Sequence, residues 1–144
     1  MKAQIDVKKL NASLTEIIEK RVQLSKLTYD SKDYDKIEEE LHDLEDDFTD
    51  AYGDYLEAAL EEVHDQLCPD SDVLLPIAYL AQNYKKTGQN PDGTTTYDVE
   101  NKEGVWVDAD KFPGKDTRLV ILPNPLRILF VVDGQKKVVW EADK

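Results

Sequence analysis

The sequence predicts an α+β protein: a long N-terminal antiparallel helical hairpin and a short helix, followed by a small, mostly antiparallel β-sheet. Three observations carry that prediction. Apolar residues recur every three or four positions up to Leu67. Beyond Gly88 the period changes to two, and an Asp133-Gly134 dipeptide sits between two apolar runs. The two periods are those of an amphipathic helix and a half-buried strand, and Asp-Gly is a strong two-residue hairpin signal.

The first helix is expected over about residues 7 to 28, from Val7, Leu10, Leu14, Ile17 and Leu24, with Arg21 interrupting the apolar stripe. A second, over about 33 to 67, has Tyr34, Ile37, Leu41, Leu44, Phe48, Ala51 and Tyr55 alternately three and four apart, the a/d seam of a coiled coil. After Tyr55 the phase slips to Leu56, Leu60, Val63 and Leu67, with Gly53 at the change, where the helix is expected to bend or turn a new side inward. Thr28 to Asp33 forms a short link, so the pair is antiparallel, and Asp30, Ser31 or Asp33 is placed to cap the second helix. At 1.5 Å per residue the helices measure roughly 33 and 52 Å, so the second outruns the first by about 19 Å. Residues 56 to 67 are therefore expected to pack on the C-terminal part.

Cys68-Pro69 ends the second helix, and Asp70-Ser71-Asp72 offers caps for a short third helix from Val73 to about Tyr84, with Pro76 in its first turn and Gly88 as its stop. Thr94 to Glu100 and Gly104 to Asp108 read as one hairpin around Asn101-Lys102-Glu103. Leu126 to Val132 and Lys136 to Glu141 form a second, around Asp133-Gly134, preceded by a strand at Arg118 to Leu122. Pro123 and Pro125 are expected at an edge or a crossover, and Thr87 to Gly93 and Ala109 to Thr117 as irregular chain. Trp106 and Trp140 are assigned to the core of the sheet. Residues 1-68 thus form an acidic hairpin and 69-144 a short helix and sheet packed on its end, together one compact unit.

Composition limits function. The chain has 144 residues, 40% hydrophobic and 34% charged, with a net charge of -13 and a mean hydropathy of -0.59. It can bury a core, and its apolar runs are far shorter than the roughly 18 to 20 residues of a bilayer span. The first nine residues lack the apolar stretch of a signal peptide, and there is one cysteine, so a cytoplasmic location is expected. Residues 37 to 84 hold fifteen carboxylates and no Lys or Arg, whereas 85 to 144 hold ten groups of each sign. A field of that sign repels phosphate backbones and attracts basic partners, so direct nucleic-acid binding is not expected.

No motif for a P-loop, dinucleotide fold, hydrolase elbow or zinc protease occurs, and only two histidines are available as bases. Glu39-x-x-His42 and Glu61-x-x-His64 match the spacing of di-iron ligands, and His64 and Cys68 that of two zinc ligands, but nothing in the sequence completes either set. Asp108-x-Asp110 with Asp116 departs from the calcium-loop pattern, and Cys68 has no basic neighbour in sequence to activate it. Neither a metal, a cofactor nor a catalytic residue is assigned. The expected function is a non-enzymatic protein-interaction module, an adaptor, regulator or inhibitor, that shows an acidic helix face to a basic protein. Its contact residues would be Tyr29, Asp30 and Asp33 at the hairpin tip and Asp43, Asp46, Asp47 and Asp50 on the second helix. The alternatives are a homodimeric structural protein with a solvated acidic face, and a small enzyme with a carboxylate-based site on the sheet. In layout alone, an acid-tipped hairpin (Asp30, Asp33, Asp35) before a β-rich part resembles bacterial transcript-cleavage factors; by charge alone the strip is similar to immunity proteins and nucleic-acid mimics.

Overall fold

The computed structural model describes residues 6–81, 83–100, 102–109 and 111–142. Helix α1 spans Val7–Ser25 and α2 spans Tyr34–Leu67. The Asp6 carboxylate starts α1 by accepting the Lys8 and Lys9 N–H groups, while Asp33 begins α2 without a side-chain bond of its own. Leu10, Leu14, Ile17 and Ile18 of α1 are fully buried, and on α2 the buried or half-buried row runs Ile37, Leu41, Leu44, Phe48, Tyr52, Leu56, Ala59, Leu60 and Val63. Ala51, expected in the seam, is exposed, and the helix passes through Gly53 unbroken. What looked like a phase slip is the drift of an ordinary 3.6-residue helix away from a 3.5-residue seam. That drift turns the inward face from α1 toward the C-terminal part of the chain.

The third helix is corrected. Only one 3₁₀ turn forms, Pro76–Tyr79, because Leu75 before the proline takes an extended backbone (ψ 142°). The β-structure is also two sheets rather than one. In the smaller, β1 (Lys85–Gln89) pairs antiparallel with β2 (Thr95–Asp98). Thus β2 does not pair with the segment after it, and most of the chain read as irregular at 87 to 93 belongs to a strand and its turn. In the larger sheet, β3 (Val105–Trp106), β4 (Thr117–Leu122), β5 (Arg127–Val132) and β6 (Gln135–Glu141) lie in chain order, all antiparallel. Asp133 (φ 47°) and Gly134 (φ 88°) make the β5–β6 turn as expected. Pro123 and Pro125 lie in the tight turn of the β4–β5 hairpin, not at an edge or crossover, and Asn124–Pro125 is cis. Of the proposed turn at 101 to 103, Asn101 lies outside the described residues, as does Asp110.

One continuous set of buried side chains joins both segments: Leu14, Ile17, Phe48 and Leu60 from the helices with Tyr79, Tyr97, Leu119, Ile121, Ile128 and Phe130. The C-terminal half of α2 meets it twice. Tyr55 packs edge-on to Trp140 of β6, with ring centroids 6.1 Å apart, and buried His64 is bonded to Ser71 and Tyr79. Trp106, by contrast, is 60% exposed on its two-residue edge strand, so its assignment to the core fails: among the described residues nothing covers that end of the sheet.

Two positions allow little change. Gly104 has φ +93°, and a Cβ there would stand 2.4 Å from the Leu119 carbonyl oxygen and 2.9 Å from Val120 Cβ. Asn124, buried at φ 60°, donates its N–H to Asn11 of α1 and its amide to Thr15 of α1 and the Thr95 carbonyl of β2, and its carbonyl accepts from Asn90. Gly104→Ala is expected to lower the urea midpoint much more than Gly114→Ala, whose φ is also positive (+76°) but which faces open space; backbone clash adds to a strain that by itself costs about 1–3 kcal/mol. Asn124→Ala should cost about 2–4 kcal/mol in the same assay, from unpaired buried partners and the left-handed backbone. Asn124→Gly, which restores only the backbone freedom, should recover a minor part of it.

Candidate functional site

At 100° per residue, nine carboxylates of α2, Glu39, Asp43, Asp46, Asp47, Asp50, Asp54, Glu57, Glu61 and Asp65, fall within an arc of about 100°. All nine are exposed. The row repeats at eleven residues, as Glu39, Asp50 and Glu61 show, so it keeps to one side of a straight helix for about 39 Å. Four of the seven residues singled out from sequence, Asp43, Asp46, Asp47 and Asp50, lie on it.

The carboxylates that face α1 behave differently. Glu40 pairs with Lys20, and Glu45 with Arg21, whose guanidinium also donates to the Ala81 carbonyl at 3.0 Å. The Lys20 hydrogen bond holds the Glu40 carboxyl below its ordinary pKa. Arg21, which interrupts the apolar stripe of α1, is thus the residue that ties both helices to the chain after the 3₁₀ turn. Among the described residues none of the nine carboxylates on the outer face makes an ion pair.

The tip residues lie elsewhere. Tyr29 is 85% exposed and stacks on Tyr34, with centroids 4.8 Å apart. Asp30 and Asp33 are exposed beside it. Tyr29, Tyr34, Leu24, Leu27 and Leu41 line an open groove of about 810 Å³ between the ends of the two helices, with the Arg21–Glu45 pair in its wall. Tyr34, Leu41 and Glu45 lie roughly half a turn around α2 from the carboxylate row. The seven residues therefore divide between two surfaces that face different ways. Sequence reasoning named Tyr29 but missed the groove; the signal for it was Leu24 and Leu27 continuing an apolar stripe past the last turn of α1.

Away from these surfaces the buried His64 is fully engaged. His64 donates from Nδ1 to the Ser71 carbonyl (2.9 Å), its Nε2 accepts from the Tyr79 hydroxyl (2.9 Å), and that oxygen accepts the Leu74 N–H. Every polar atom of this chain of bonds has a partner. Burial, aided by Asp108, pushes the Cys68 thiol up to about 11, away from the thiolate that nucleophilic or metal chemistry needs. Among the described residues no group of three or more His, Cys, Asp or Glu side chains is placed to hold a metal ion. On the sheets, the Lys85 hydrogen bond lowers Glu100 and the Arg118 hydrogen bond lowers Asp116. Burial pushes the Asp98 carboxyl up, but the Val99 N–H and the Lys136 ammonium outweigh it and leave it below the ordinary range. These three carboxyls are shifted away from the general-acid role that a raised pKa provides. No helix among the described residues is long and apolar enough to cross a membrane.

Comparison with known proteins adds no family to this geometry: no protein-family model matches the chain, nor does any curated protein or solved structure at a significant level.

The row on α2 places like charges at three- and four-residue spacings, an arrangement that costs a few tenths of a kcal/mol per pair in an exposed helix. Replacing Asp46, Asp50 and Asp54 by Asn is therefore expected to raise the denaturation midpoint at low salt. The gain should shrink toward zero at high salt as the charges are screened, and a gain independent of salt would show that repulsion is not its source.

Proposed function

We propose that the chain is a protein-interaction module, an adaptor, regulator or inhibitor, that offers the outer face of α2 to a basic protein. The observation that carries this reading is the row of nine exposed carboxylates with no ion pair of their own among the described residues. Where α2 meets α1, by contrast, its acids are matched with cations. The row costs helix stability and contributes nothing to the core, so its use lies outside the fold. A basic helix or strand laid along about 39 Å of it gains from many contacts at once and from electrostatic steering. Phosphate backbones are repelled by the same field, which disfavours nucleic acid as the ligand. A single buried thiol and no disulfide fit a reducing compartment, and we place the protein in the cytoplasm.

The test separates this face from bulk charge. Binding of a Lys-rich amphipathic peptide about twenty residues long is measured by fluorescence anisotropy at low and high salt. Three proteins are compared: the intact chain, a variant with Asp43, Asp46, Asp47 and Asp50 changed to Asn, and a control with Asp70, Asp72 and Asp108 changed to Asn and Glu141 to Gln. The face variant is expected to bind at least roughly tenfold more weakly than the intact chain at low salt, with a flatter salt dependence. The control, with the same net charge, should stay within about threefold of the intact chain. Equal losses in the two variants would reduce the effect to net charge and overturn the proposal.

A further inference from the structure

The hairpin tip differs in electrical character from the rest of α2. From residue 26 to residue 36 the chain carries Lys26, Lys32 and Lys36 against Asp30, Asp33 and Asp35, a net charge of zero with both signs interspersed. Among the described residues none of these six makes an ion pair, and all six are exposed. In sequence they are interleaved with Leu27, Tyr29 and Tyr34, which line the open groove of about 810 Å³, and the Tyr29 ring is exposed. The groove lies at the margin of the main core: of its lining, Leu41 belongs to the core cluster and Leu24 packs against it. Ile37 is buried beneath the tip yet lies outside the continuous cluster, and Leu27, Tyr29 and Tyr34 do not pack against that cluster.

We infer that this tip is a self-association surface whose occupant is the tip of a second copy of the chain, related by a twofold axis, with each Tyr29 seated in the other copy's groove. Charge complementarity selects that occupant. A purely basic or purely acidic partner gains nothing from a patch of zero net charge, whereas a patch with equal numbers of both signs can pair its lysines with the aspartates of a second copy across a twofold axis. Three lysines of one tip then face three aspartates of the other, and an exposed aromatic beside leucines supplies the apolar centre that small interfaces need. The area at two such tips is below that of a standard interface, so the dimer is weak and forms with rising concentration. This inference does not rest on the acidic-face reading, because the groove and the carboxylate row lie on different sides of α2.

Sedimentation equilibrium of the full chain from low micromolar to about one millimolar tests it, a range that covers weak, transient interfaces. The weight-average mass is expected to rise from 16.5 kDa toward twice that value. Tyr29→Ala, which removes an exposed ring and leaves the core intact, should move the midpoint at least roughly tenfold higher. Two charge variants complete the experiment, one with Lys26, Lys32 and Lys36 changed to Glu and one with Asp30, Asp33 and Asp35 changed to Lys. Each should stay monomeric alone, and an equimolar mixture should dimerise. A wild-type chain that remains monomeric to the top of the range overturns the inference. So does a dimer whose midpoint is unmoved by Tyr29→Ala, or a mixture of the charge variants that fails to pair.

Discussion

The fold depends on a mismatch of length. Helix α2 has 34 residues and α1 has 19, so about 22 Å of α2 extends beyond its partner. An apolar face of that length cannot stay in water. The 3.6-residue period turns this face progressively away from α1, and the later part of α2 joins the shared core, with His64 meeting Tyr79 of the 3₁₀ turn and Tyr55 meeting Trp140 of β6. The helical and β-rich parts share one core because one helix must be buried by both. The same geometry leaves the opposite side of α2 exposed, and that is where the nine carboxylates stand.

The second tie between the two parts is polar. Asn124 occupies a turn that three elements approach, and its hydrogen bonds reach α1, β2 and the β1–β2 turn. A buried amide is costly unless nearly all of its partners are in place, so the hub is directional where the apolar core is not. Arg21 does similar work at the other end of α1, joining Glu45 of α2 to the Ala81 carbonyl. Hydrophobic burial holds the hairpin against the sheets, and these two hubs set its register.

Much of the helical part was legible because its burial is periodic, and the β5–β6 hairpin because Asp-Gly names its turn type. The failures have physical causes. Strand β1 reads Lys-Lys-Thr-Gly-Gln and is exposed throughout, so it has no apolar alternation to detect; it is a strand because β2 supplies hydrogen-bond partners. Val73, Ile77 and Leu80 mimic a helix, but Pro76 holds the preceding residue extended and leaves only one tight turn. Trp106 alternates correctly yet sits on a two-residue edge strand, and whether anything lies over an edge is a tertiary fact. For the candidate surfaces the acids were countable in the sequence. That Glu40 and Glu45 are neutralised inside the hairpin, while the row from Glu39 to Asp65 is not, depends on which way each residue faces across α1.

Charge also decides how two such molecules can approach each other. At physiological salt the screening length is about 8 Å. Two copies packed with their acidic faces together would bring the rows within reach of each other over many turns, and the like charges would repel. Contact at the tips avoids this. The row begins at Glu39, about 7.5 Å along the axis from the first residue of α2, and runs away from the tip, so from Asp43 onward each carboxylate is more than one screening length from that end. The neutral tip is thus the part of the hairpin where a second copy meets little net charge, while the outer face stays open to a ligand of opposite sign. Two surfaces on one helix can serve different partners because a half turn of backbone and one screening length are enough to keep them electrically apart.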